Sequence, residues 1–348
     1  MAVSTRALQF AQISNAEGTP GTAEAATAVL LFENLNQILH DKVFHTPMHD
    51  RGLLATHIEV PFQVSQLCEF ECEGDLYDQL MVYMALNSIR GNVTATQPDN
   101  VNEPNHYLWT IEPGLTTQNT PDITNGIDTF TLEYGGNVQD YETEFIFTTS
   151  LEISGEVNEP VRFAWSFQGR QVTEASRTGA LTAPTTHQFF ATNKAKWYVE
   201  ADAYANIGTT QKSGVLKAFS WTFETGFAAR FAADGNYYYA ALNEDRKHVE
   251  LELTLWRDST VHESELDAFQ SQAIRYMRIA LEAETEMDSG QGNPPYIYLD
   301  GAFRYTEFPE LDDEDGTSVM TATAVSVYDT TAAKQFGVLI GTQLDALP

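Results

Sequence analysis

The sequence predicts a mainly β protein, and three observations carry that prediction. Its 15 tyrosines and 20 phenylalanines, together with many Thr and Val residues, suit strands better than helices. Several segments alternate apolar and polar residues with a period of two, most clearly LCEFECE (67–73) and VELELTL (249–255). Turn residues bound these segments, and helical spacing is confined to two short stretches.

At 348 residues the chain exceeds the length at which a single core usually keeps growing, so two domains are expected. Residues 1–50 hold small residues and few strand signals (EGTPGTAEAATAVL, then FENLNQILHDKVFHTPMHDRG), and read as an N-terminal arm and long loop. A first β domain spans 51–180. It opens with LLATHIEVP and LCEFECEGD, followed by a helix from Asp75 to Ile89. Asp75 is its expected N-cap, Leu76, Leu80, Tyr83 and Met84 share a face, and Gly91 sits just past its end. Strands follow at HYLWTIEP, TFTLEYGG, ETEFIFTTSLEIS and VRFAWSFQGR. The polar, aperiodic stretch from Gln171 to Thr186 then reads as an interdomain connection.

A second β domain spans 181–348, with strands at AKWYVEADA, GVLKAFSWTFETGF and HVELELTLWRD. A helix comes next, with Ser264 and Asp267 at capping-box spacing and Leu266, Phe269 and Ala273 on one face. Four more strands close the chain, IRYMRIALEAETE, YIYLDGAFRYTEF, TATAVSVYD and FGVLIGTQ. Both halves thus run strand with alternating glutamates, short capped helix, several strands. That shared order predicts an internal duplication.

Cys68 and Cys72 fall on one strand face with Phe70 between them and are expected to be reduced core residues. No run approaches the roughly 18 apolar residues a membrane helix needs. The start, MAVSTRALQFAQ, lacks the pattern of a secretory signal, so synthesis and assembly in a cytoplasm are expected.

Nineteen basic residues against 49 acidic ones leave a net charge of −30, which excludes a general basic surface for nucleic-acid phosphates. The acids could line a passage that DNA slides through without sticking, coat an exterior adapted to high salt, or simply aid solubility. Three groups sit opposite apolar residues and are candidates for such a lining: Glu69, Glu71 and Glu73; Glu250 and Glu252; Glu282, Glu284 and Glu286. Their ordinary reading is solvent-facing strand residues.

No catalytic constellation emerges. EGTPGTA lacks the Lys-Ser/Thr of a phosphate loop, and neither a G-x-S-x-G elbow nor an H-E-x-x-H pair occurs. His40, His45, His49 and His57 have no metal-binding register. LDDEDG (311–316) would place Leu311 at the first ligand position of a calcium loop. Asn92-Val93-Thr94 is a formal glycosylation sequon. Glutamates two apart on one strand point the same way, which suits a charged face better than the opposed carboxylates of a glycosidase. No enzyme activity, metal or cofactor is expected.

EGTPGTAEAATAVL, the Arg51-Gly52 step, FECEGDLYDQLMVYM, FSWTFETGF and PELDDEDGTSVMTATAVSVYD, in that order, resemble the tail tube proteins of long-tailed bacterial and archaeal viruses. The likeness runs along nearly the whole chain. It implies two fused tail-tube-like domains, each a β-sandwich or partly closed barrel with a flanking short helix, whose strands join those of neighbouring subunits around a lumen. It implies stacked rings of three chains with pseudo-sixfold symmetry. It also implies an inter-ring arm containing Glu17, Gly18, Thr19, Pro20 and Gly21, and flanking helices marked by Asp75, Leu76, Leu80, Met84, Ser264, Leu266 and Phe269. The implied partners are further copies of the chain, tape measure, tail terminator and tail tip proteins, and viral DNA passing through without specific binding. The implied location is the virion tail. The chain is longer than the common single-domain form, which leaves ring stoichiometry open. Another tail-tip, baseplate or virion β protein is the alternative, and a carbohydrate-binding adhesin presenting Tyr237, Tyr238 and Tyr239 a third.

Overall fold

In the computed structural model, which describes residues 10–39, 42–47, 60–115, 120–121, 126–136, 139–308, 312–314 and 317–348, the alternating segments become one large antiparallel sheet. The first half supplies β1 (Phe10–Ser14), β2 (Ala26–Val29), β3 (Asn34–Leu39), β4 (Lys42–His45), β5 (Phe62–Gln66), β6 (Cys68–Asp75), helix α1 (Asp78–Ser88), β7 (Tyr107–Ile111), β8 (Phe130–Gly135), β9 (Asp140–Glu156), β10 (Arg162–Gly169) and β11 (Val172–Glu174). The second supplies β12 (Lys196–Glu200), β13 (Leu216–Glu224), β14 (Phe227–Arg230), β15 (Ala241–Glu244), β16 (His248–Trp256), helix α2 (Ser259–Ser271), β17 (Arg275–Glu282), β18 (Tyr296–Glu307), β19 (Asp312–Glu314), β20 (Thr317–Ser326) and β21 (Phe336–Thr342).

Neighbouring strands of the central sheet run β3, β6, β10, β9, then β13, β16, β20, β18. The same four-strand order therefore occurs twice, side by side, joined where β9 meets β13. The likeness extends outward. A hairpin, β4–β5 or β14–β15, separates the first two strands of each unit, and a helix follows the second. The long third strand, β9 or β18, pairs over its first part with the strand before it, β8 or β17, and with the last strand of its unit, β11 or β21. β7 breaks the correspondence, because it pairs with β21 of the other half and interlocks the two.

One face of this sheet is apolar. Leu35, Cys72, Trp165, Leu151, Phe223 and Val249 are successive cross-strand partners on it and belong to a core running through both halves. Cys68 and Cys72 are buried in that core, and burial, reinforced by Glu73, pushes the Cys72 thiol up to about 12. Helix α1 lies against β7, β9 and β21 and is buried on all sides, so its apolar residues do not form one stripe. Asn87 in its interior is fully engaged: Asn87 Nδ2 donates to Asp128 O at 2.8 Å and to Ile146 O at 2.9 Å, and Thr148 Oγ1 donates to Asn87 Oδ1 at 2.8 Å.

Both helix starts differ from the expected ones. Asp75 is the last residue of β6, opposite Arg162, rather than a cap. Leu76 is buried beside the strand end, and the helix begins at Asp78 after Tyr77, which makes no side-chain capping bond. Strand pairing to Arg162 outweighs the capping preference of Asp75. α2 begins at Ser259, where Asp258 Oδ1 accepts the Val261 N–H at 3.0 Å. Ser264 therefore lies inside the helix, its hydroxyl on Glu265 Oε1 at 2.8 Å. β16 ends at Trp256, so the first cap available, Asp258, prevails. Glu265 and Ala268 face the core, while Leu266 and Phe269 are half-buried, Phe269 stacking on Phe308 at 5.9 Å.

The expected inter-ring arm is folded back. Glu17 is buried, and its carboxylate accepts hydrogen bonds from Gly21 N at 2.8 Å, Thr129 Oγ1 at 2.8 Å, Thr131 Oγ1 at 2.9 Å and Phe145 N at 2.8 Å. Arg170 Nη1 donates to Gly21 O at 3.2 Å. Gly18, Thr19, Pro20 and Gly21 thus belong to a turn between β1 and β2, closed by a carboxylate that needs buried donors, and Gly21 adopts φ +80°. Most of LLATHIEVP and residues 1–9 lie outside the described residues.

Candidate functional site: the polar face of the sheet

Alternation that buries one face leaves the other polar. Asn34, Glu73, Ala164, Glu152, Thr222, Glu250, Val325 and Arg304 form one continuous cross-strand row. Asn36, Glu71, Ser166, Ser150, Glu224 and His248 form the next.

Acids occupy alternate strands of this face from β6 to β16. β6 carries Glu69, Glu71 and Glu73, β9 carries Glu152 and Glu156, and β16 carries Glu250 and Glu252. The strands between are mainly neutral: β10 contributes Ala164 and Ser166, β13 Ser220 and Thr222 with Glu224 at its end, and β20 Thr321 and Thr323. Like charges directly opposite one another destabilise a sheet. One intervening strand sets them roughly 10 Å apart, near the ~8 Å screening length of physiological salt. The face is therefore strongly negative without adjacent like-charge pairs across strands.

Neutral donors brace individual carboxylates. Gln168 Nε2 donates to Glu69 Oε1 at 2.8 Å, Asn34 Nδ2 to Glu73 Oε1 at 3.2 Å, and Ser220 Oγ to Glu152 Oε1 at 3.1 Å. Cations stand at its margins, where Arg162 meets Glu33 at 2.6 Å and Asp75 at 3.2 Å, and Lys217 meets Glu156 at 3.4 Å. Over Ala164 the face dips into a hollow of about 330 Å³ lined by Asn36, Glu71, Glu73, Glu152 and neighbouring serines.

Five of the candidate acids, Glu69, Glu71, Glu73, Glu250 and Glu252, share this face. The third group does not form a strand face: β17 ends at Glu282, which pairs with Lys196 at 2.6 Å. Glu284 lies beyond it, 3.8 Å from Lys194, and Glu286 Oε2 accepts the Gly290 N–H at 2.6 Å in a loop. The chain turns there to start the β17–β18 connection. Glu152 and Glu156, unforeseen, follow from the alternation in SLEISGE, which the aromatic start of the same strand obscured.

Tyr237, Tyr238 and Tyr239 make no common platform. Tyr239 is buried, its hydroxyl donating to Phe145 O at 2.6 Å, and Arg170 lies over Tyr238 at 4.8 Å. Among the described residues no group of three or more His, Cys, Asp or Glu is arranged to hold a metal ion. No family model matches the sequence, and no curated protein is significantly similar to it.

Proposed function

We propose that this chain is a structural subunit that polymerises as stacked rings into the tail tube of a long-tailed virus, its polar face lining a conduit for genome ejection. The observation that carries the reading is the acidic face itself, laid over two copies of one four-strand unit in a single sheet. DNA carries about one charge per 1.7 Å of axis, so a wall of fixed carboxylates repels it and offers no place to stall.

The size is suitable. Three copies would bring about 24 strands to a closed sheet, and with spacing near 4.8 Å and a tilt near 40° the backbone diameter would be roughly 45–50 Å. Side chains would leave an opening wide enough for a duplex. On this reading the subunit meets its own copies, the tape measure, terminator and tip proteins, and DNA in transit. It assembles in the host cytoplasm and resides in the virion tail.

The lining accounts for part of the charge. Exposed acids also stand away from the polar face, among them Glu159, Asp202, Asp234, Asp245, Glu263 and Asp267, which fits a protein working in high salt. Negative-stain microscopy of the purified chain at high concentration, alone and seeded with a tail tip complex, is expected to show hollow tubes of threefold rings. A chain that stays monomeric under both conditions sinks the reading.

A further inference from the structure

The two hairpins occupy the same place in the two units but differ in environment. β13 crosses to β9, and the β14–β15 hairpin after it settles on the bend of β9. There Phe227, Tyr239 and Leu242 close over Ile127, Phe145 and Phe147. Phe227 is 6% exposed and Leu242 3%. In the other unit, β3 pairs with β6 and, among the described residues, with no second strand. Its hairpin leaves Phe44 59%, Phe62 52% and Val64 46% exposed. One element is thus covered in one repeat and bare in its counterpart, with Phe62 and Val64 on one face of the hairpin and Phe44, opposite Gln63, on the other, and bare apolar side chains grouped in this way mark an interaction site.

The counterpart of the covered seat is present too, on the far edge of the sheet. Gln168 stands between Glu69 and Phe147, and Val325 stands between Glu250 and Arg304 in the equivalent place. Where β10 runs on through Gln168 to Arg170, β20 runs on through Val325 to Val327, so this strand offers valines where the covered seat has polar side chains. Arg304 replaces Phe147, and its Nε has no hydrogen-bond partner among the described residues. A guanidinium there can meet an aromatic ring. From Arg304 to Glu307, β18 pairs with β20 on one side, and the described residues place no strand on the other.

We propose that β3 of one copy pairs with the open edge of β18 of a second copy while the β4–β5 hairpin covers Arg304, Val325 and Val327, repeating between chains the β13–β9 seam within each chain. This rests on the assembly reading only in taking a second copy as the occupant. Because the two surfaces differ, the contact is head-to-tail, and it propagates into a ring or an open filament.

The test mixes two single variants, Val64→Cys and Val325→Cys, and treats the assembled material with a short bis-maleimide; the native cysteines are buried. Covalent dimers are expected in the mixture and not in either variant alone. A second arm, Phe44→Ser with Phe62→Ser, is expected to lower assembly at least tenfold while the far-ultraviolet strand signal persists. Particles that assemble without the mixed cross-link, or undiminished in the double serine variant, overturn the proposed seam and leave the tube reading standing. Cross-linked rings that never stack support the seam and count against the tube.

Discussion

The Asp78 carboxylate accepts the Thr342 hydroxyl at 2.5 Å and the Gln188 N–H at 2.8 Å, so one buried side chain ties the first helix to the last strand and to the connection between the halves. Burial raises its pKa, against the lowering effect of those hydrogen bonds. Asp78→Ala strands two buried donors and is expected to cost about 2–4 kcal/mol. Asp78→Asn, which keeps an acceptor, should cost less. Urea midpoints of the two variants measure the difference.

Asp128 gives a pH dependence of definite sign. Burial pushes its carboxyl from 3.8 up to about 6, although it accepts the Asn92 N–H at 3.1 and 3.2 Å. Glu144 is likewise pushed up to about 6, chiefly by burial. Between the ordinary carboxylate value and about 6 the folded chain holds protons that the unfolded chain has released. These groups therefore make stability fall as pH rises through that window. Urea midpoints should be higher near pH 5 than near pH 7 on their account, and Asp128→Asn should flatten the slope.

Glu17 closes the β1–β2 turn through four accepted hydrogen bonds. Glu17→Ala is expected to destabilise by about 2–4 kcal/mol and to speed amide exchange from Gly18 to Glu24 more than elsewhere. Uniform exchange across the chain would show that the turn is held by other contacts.

On the proposed tube reading, reversing charge on the polar face should convert a repelling wall into a retaining one. Tubes carrying Glu71→Lys, Glu152→Lys and Glu252→Lys are expected to hold duplex DNA at low salt and release it near 1 M, while tubes of the original sequence hold none. Equal retention by both would remove these acids from any role in transit.

Sequence legibility followed local alternation. LCEFECE and VELELTL disclosed their strands, their buried side and five of the face acids, because a period of two needs nothing beyond the segment itself. β9 was harder. It is 17 residues long and bends where Phe145 adopts φ +55°, with a register shift against β8, and no local pattern announces an inserted residue. Glu17 looked like a loop acid because its four donors lie on segments up to 128 residues away. α1 showed its helical spacing but not its start, which is fixed by where β6 ceases to pair with Arg162.

The pairing of β7 with β21 also sets a timetable for folding. A ribosome that has finished α1 and β7 has not yet made their partner strand, since Thr342 follows Asp78 by 264 positions. At ordinary synthesis rates that gap lasts on the order of tens of seconds. During it the side of α1 and β7 that β21 will cover has no partner from its own chain, although β9 is already present, and non-local pairing of this kind is slow to form. The first half is thus kept from maturing ahead of the second.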